Sequence, residues 1–170
     1  RGARFRLSAE IIRDQALATS GLLTQKLGGP SVMPPQPPGV WKSTYSGEKW
    51  KDATGPDRYR RGLYTYLKRT SPYPALTTFD AGSGEVCQIR RIRTNTPLQA
   101  LITLNDTTFL EAAGALSKKM RSLEHGFRLV LIRSPLRKEL VRLQTLYSTM
   151  EKHYENNVEA AENLLKSAGL

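Results

Sequence analysis

RRIRTNTPLQALITLND, residues Arg90–Asp106, carries the strongest local signal in the chain. Thr96 can cap a free amide. Pro97 fits the first helical position, where an N–H would have no partner anyway, and Gln99 can reach back as in a capping box. A helix therefore starts here and carries Leu98, Leu101, Ile102 and Leu104. Asn105–Asp106 favours a kink or break and then a restart, with Phe109, Ala112, Ala113, Leu116 and Met120 as the next apolar stripe.

Downstream of that stripe lies a short segment with Leu123, Phe127, Val130 and Leu131, and Ser134–Pro135 then repeats the cap-plus-proline device. Leu136, Leu140, Leu143, Tyr147, Met150 and Tyr154 recur at alternating four- and three-residue steps, the spacing of a bundle or hairpin seam. Core packing is the default expectation for such a seam, and pairing with another chain is the alternative. The tail from Val158 to Leu165 either continues the helix or folds back.

Upstream, Ile11, Ile12, Ala16, Leu22 and Leu23 approximate helical spacing after Ser8, with Gly21 as a terminator. Gly28-Gly29-Pro30 and Pro34, Pro35, Pro37 and Pro38 then hold the backbone near polyproline II. This is an extended strap. It either lies across its own domain, with Trp41 as anchor, or offers itself to an aromatic groove on a partner. Lys42 to Asp57 reads as loop. Leu63–Leu67 and Val86–Ile89 are rich in aromatic and β-branched residues and predict one small β-hairpin, with helix as the other reading of the first run.

The fold expected is mainly α: a helical bundle or hairpins with a long proline-rich and basic irregular segment. It divides one 170-residue domain fragment into a helical part at 1–29, the strap and basic segment at 30–95, and a helical part at 96–170. A hydrophobic content of 39% with 24% charged residues is globular composition. No run approaches the apolar length that crosses a bilayer. The N-terminus lacks the apolar region of a signal peptide and reads as a cut end.

Cys87 is the single cysteine, so no internal disulfide and no multi-cysteine zinc site can form. As a nucleophile it would need the neighbouring arginines to converge on it; the default expectation is a small buried side chain beside Val86 and Ile89. His125 and His153 have no metal-ligand spacing around them, Gly28–Gly29 lacks the context of a phosphate loop, and no Cys-x-x-Cys-His attaches a haem within this chain.

A basic cluster remains. Between Arg58 and Arg93, Arg58, Arg60, Arg61, Lys68, Arg69, Arg90, Arg91 and Arg93 face only Asp80 and Glu85, so eight against two places a surplus of six here out of the formal +11. Tyr59, Tyr64, Tyr66 and Tyr73 are interleaved. Arginine forks hold phosphate, sulfate or carboxylate, and tyrosine offers stacking surface. The candidate anion- or partner-binding residues are therefore Arg58, Arg60, Arg61, Arg69, Arg90, Arg91, Arg93, Tyr64 and Tyr66. The competing expectation is that these arginines brace carbonyls and carboxylates of their own irregular loops.

RYRRGLYTYLKRTSPYP, then TFDAGSGEVCQIRRIRTNTPLQALITLND, with EIIRDQALATSG and GGPSVMPPQPPGVW before them, together resemble the planctomycete PSD domain family, domain of unknown function 1553. The resemblance covers most of Leu7 to Leu140. It implies a piece of a larger exported, extracytoplasmic protein in which a c-type cytochrome-like domain and another domain lie upstream. The haem would belong to that upstream part, with no cofactor in this chain. Two departures stand out: the family pattern carries a variable insertion where Lys119–Leu123 here joins two helices directly, and the tail beyond Tyr154 has no counterpart.

Three functions follow as expectations. The first is a non-catalytic accessory or scaffold domain whose partners are other domains of the parent protein, an acidic protein or an anionic polysaccharide. The second is a polysaccharide-acting enzyme domain using Asp80, Glu85 or Asp106, whose carboxylates would have to share a cleft. Nucleic acid ranks last, because no helix-turn-helix or zinc finger is present.

Overall fold

In a computed structural model the structure describes residues 5–37, 39–40, 49–82 and 84–170. Helix α1, Ala9–Ser20, begins after Ser8, whose backbone is extended, and ends where Gly21 enters the left-handed region at φ 87° and its N–H bonds back to the Ala18 and Leu17 carbonyls. Its inward stripe is Ala9, Arg13, Leu17 and Ser20. The Arg at an otherwise small or apolar position becomes important below.

The short helix α2, Pro74–Thr78, leads to the helix predicted from Thr96: α3, Pro97–Asn105. The Gln99 side-chain oxygen accepts from the Thr96 N–H at 3.3 Å, the reach-back expected of a capping box. The break falls at Asp106, whose carboxylate accepts from the Thr108 N–H at 2.9 Å and so caps α4, Thr107–Lys119. α4 packs against α1 and buries Thr108 and Ala112.

Met120 closes α4, and its thioether covers Gly126 in α5, Leu123–Leu131. Ser122 caps α5 by accepting from the His125 N–H, while His125 Nδ1 accepts from the Arg121 N–H at 3.1 Å. Lys119–Leu123 is thus a tight corner tied by the His125 ring and the Ser122 hydroxyl. The long helix α6 runs from Arg137 to Glu155, so it starts later than Ser134–Pro135 suggests. Glu139 decides the start: its carboxylate accepts from the Leu136 N–H at 2.8 Å and grips Arg133 with both oxygens, leaving Ser134 and Pro135 outside the helix. α7, Val158–Ser167, folds back, and Ala168 packs on Gly114 of α4, where a Cβ would meet its carbonyl oxygen at 2.8 Å.

Core packing of the α6 seam, the default expectation, does not hold: no residue of α6 is buried, and Leu136, Leu146, Tyr147 and Met150 are exposed. The core lies instead where α1, α2 and α4 meet the strap, at Ala9, Leu17, Val32, Tyr73, Ala75, Phe79 and Ala112.

The strap lies across its own domain. Pro34 and Pro35 are buried, and their carbonyls accept from Trp50 Nε1 at 2.9 Å and from the Tyr73 hydroxyl at 2.8 Å. Those two rings stack at 5.7 Å and act as the anchor; Trp41, Pro38 and residues 42–48 of the expected loop fall outside the described residues. The predicted hairpin between Leu63–Leu67 and Val86–Ile89 does not form. Gly62–Tyr64 is a 3-10 turn, and the Val32 N–H and carbonyl instead bond Tyr64 and Tyr66, forming a single parallel bridge to the strap. Among the described residues there are seven α-helices and no sheet. None of these helices is long and apolar enough to cross a membrane.

Candidate functional site

The structure turns most of the basic segment inward. Arg60 is 1% exposed; its guanidinium donates to the Pro30 carbonyl at 2.9 Å and to that of Gly28, and lies 3.8 Å over the Tyr64 ring. It pins the strap to the chain that follows it. Arg58 forks onto Glu111 of α4, and that pairing raises its pKa against the opposing cost of burial. Arg61 donates to Asp14 of α1 at 3.1 Å, whose other oxygen accepts from the Gly62 N–H at 2.6 Å. The chain is close there because Gly62 has no side chain: a Cβ would lie 2.9 Å from Glu10 Cα.

Arg91 holds both oxygens of Glu10 at 2.7 and 2.9 Å, and Arg93 donates to the Arg6 carbonyl at 3.0 Å while lying over Phe5. Burial pushes the Glu10 carboxyl up, but Arg91, the Glu10 backbone N–H and Ser8 together outweigh it and the carboxyl sits below its usual range. Five of the seven candidate arginines are therefore engaged with their own fold. Arg69 and Arg90 stand exposed, outside these internal bonds.

The aromatic candidates are similarly occupied. Tyr64 carries Arg60 on its face and its hydroxyl accepts from the Gly28 N–H at 2.8 Å; Tyr66 meets Trp50 edge-on at 6.5 Å. Tyr73 is buried, and burial pushes its hydroxyl up to about 12.

Two residues that sequence reasoning passed over organise this part of the molecule. Buried Arg13 donates to the Thr108 hydroxyl and to the Arg58 carbonyl, both at 2.9 Å, and so ties α1, α4 and the basic segment together. Its signal was available: an arginine in step with Ala9 and Leu17 on a helix must find internal acceptors. Arg6 donates to the carbonyls of Thr94 (2.7 Å) and Phe79 (3.1 Å) and pairs with Asp80. No local pattern pointed to it.

Asp80 is the hub of that second network. It sits at φ 61° and accepts from the Thr94 N–H at 2.8 Å, from the Thr94 hydroxyl, from Arg6 and, at 3.4 Å, from Gln99. The Thr94 N–H is the main reason its pKa is lowered. Gln99 joins the same network through the Thr78 carbonyl and the Thr94 hydroxyl, so the α3 cap and the loop before it form one unit.

An open groove of about 1110 Å³ runs over this unit, between Phe5–Ala9 and Arg90–Asn95. It contains Asp80 but neither Glu85 nor Asp106. The lone pairs of Asp80 are taken by four donor groups. Asp106 is half-buried, with its carboxyl raised by burial and committed to capping α4. Cys87 is exposed, not buried as expected, because its neighbours Val86 and Ile89 also face solvent. Among the described residues no group of three metal-ligating side chains comes together.

Beyond the groove, every residue from Gly84 to Leu98 is exposed. The apolar side chains of Val86, Ile89, Ile92, Leu98, Leu101 and Leu104 are exposed, as is Arg90. The sequence profile of the family PSD1, described as "Protein of unknown function (DUF1553)", matches residues 1–147. The chain belongs to this family. No curated protein and no solved structure matches it. The PSD1 match covers the strap, both arginine networks and the exposed segment, and stops within α6.

Proposed function

We propose that this chain is a non-catalytic docking domain, and that the exposed surface of residues 84–104 receives an acidic, partly apolar domain of the same exported parent protein. One observation carries the reading: a loop whose ends are tied by the Asp80–Arg6–Thr94 clamp leaves Val86, Ile89 and Ile92 exposed instead of burying those side chains. Contiguous exposed apolar groups around a free arginine have the composition of an interface core. The tyrosine faces that a sugar ring would stack on are occupied by Arg60 and Trp50, which favours a protein partner over an anionic glycan. The family resemblance supports an extracytoplasmic, cytochrome-linked parent, with any c-type haem in the upstream part.

The test is binding of the chain to the remaining domains of the parent protein supplied in trans. Raising salt and making Arg90→Glu should each weaken binding about tenfold, and Ile89→Ser should do the same without changing the salt slope. Affinity indifferent to both substitutions overturns the proposal. Tighter binding to heparin than to a polyanion of equal charge hands the surface to a glycan.

A further inference from the structure

The α6 seam is a second exposed apolar surface, on a different part of the molecule from the docking segment. Leu136, Leu140, Leu143, Tyr147, Met150 and Tyr154 repeat every 3.5 residues along a 19-residue helix none of whose residues is buried. A strict two-per-seven repeat is the pattern of a helix that packs against one other helix. α5 and α7 touch α6, and along this line Leu136, Tyr147 and Met150 are exposed while Leu140, Leu143 and Tyr154 are half-buried.

Charge along the helix identifies the partner. Residues 133–142 carry four positive side chains, Arg133, Arg137, Lys138 and Arg142, against Glu139 alone. The far end of α6 carries Glu151 and Glu155 against Lys152. A helix that is basic at one end and acidic at the other is complementary to itself when reversed and repels itself when parallel.

We propose that two copies of this chain pair through antiparallel α6 helices, burying the seam about a two-fold axis. The heptad register is then fixed. Leu143 meets Tyr147 of the second copy, Leu140 meets Met150, and Leu136 meets Tyr154, so all six seam residues are used and every layer pairs unlike residues. The axis passes between Gln144 and Leu146, so each Leu146, exposed in one chain, meets its counterpart. In the flanking row Arg137 faces Glu151 of the second copy, once on each side of the axis. A parallel pair in register brings no such opposite charges together.

Analytical ultracentrifugation of the full chain should give twice 19.0 kDa at micromolar concentration. Leu143→Glu with Tyr147→Glu should return it to 19.0 kDa with unchanged helical circular dichroism, since neither side chain is in the core. Arg137→Glu should weaken dimerisation about tenfold, and adding Glu151→Arg in the same chain should restore it, because the reversed pair reforms only in the antiparallel arrangement. A chain that stays at 19.0 kDa up to about 100 μM overturns the proposal and leaves the seam to another segment of a longer polypeptide. A dimer that survives the seam substitutions, or a charge reversal that is not rescued, overturns it as well. None of these outcomes bears on the docking surface at 84–104.

Discussion

The Asp80 carboxylate accepts the Thr94 N–H at 2.8 Å and closes a loop, residues 81–93, whose Val86, Ile89 and Ile92 side chains point into solvent. Asp80 does this from a left-handed backbone conformation, φ 61°, that asparagine tolerates and alanine resists. Asp80→Ala should therefore cost about 1–3 kcal/mol, and Asp80→Asn less, with tryptic cleavage after Arg90 and Arg91 faster in both. Cleavage rates equal to those of the natural chain would contradict the clamp.

The lowered Asp80 pKa fixes the sign of a pH effect. The clamp contributes fully above the ordinary carboxylate value of about 3.9 and is lost as pH falls through the lower folded value. The Thr94 amide resonance should shift in that acid window in the natural chain and not in Asp80→Asn.

Arg60 and Arg90 are near neighbours in composition and opposites in role. Arg60→Lys removes a buried planar fork from the Pro30 and Gly28 carbonyls and from the Tyr64 ring, and should cost about 1–3 kcal/mol in urea unfolding. Arg90→Lys and Arg69→Lys, on exposed side chains, should fall within about 0.5 kcal/mol of the natural chain.

That contrast marks the limit of what the sequence makes legible. Gly21, Thr96 to Gln99, and Asp106 are read correctly because a cap is a contact between residues two to four apart; Ser8 marks the start of α1 without a side-chain cap bond. The arginine partners lie far away in sequence, Arg6 on Asp80 and Arg58 on Glu111, so no window reveals which arginines are internal. The hairpin fails for a related reason: the Pro-rich strap, thirty residues upstream, competes for the Tyr64–Tyr66 backbone and wins it. Ser134–Pro135 loses the α6 start to Glu139, which has Arg133 to hold it. The α6 period is plain in the sequence, but a period does not say what covers it.

Gly114→Ala tests how the tail docks. Alanine normally stabilises a helix interior by about 1 kcal/mol over glycine, but here its Cβ would meet the Ala168 carbonyl oxygen at 2.8 Å. The substitution should destabilise the full chain and stabilise a chain ending at Ser167, as read from thermal midpoints.

Tyr73 sets the alkaline limit. Its folded value of about 12 exceeds the unfolded value of about 10, so its contribution is complete below pH 10 and is lost as pH rises towards 12. Ultraviolet titration should show a last phenol ionising with unfolding, absent in Tyr73→Phe.

The central claim is that residues 84–104 are a docking surface of a larger protein. Hydrogen exchange of residues 86–95, compared between the isolated chain and the full-length parent, tests it most directly. Docking predicts amides at least about tenfold slower in the parent, with that protection lost in Ile89→Ser. Equal exchange in both would contradict it.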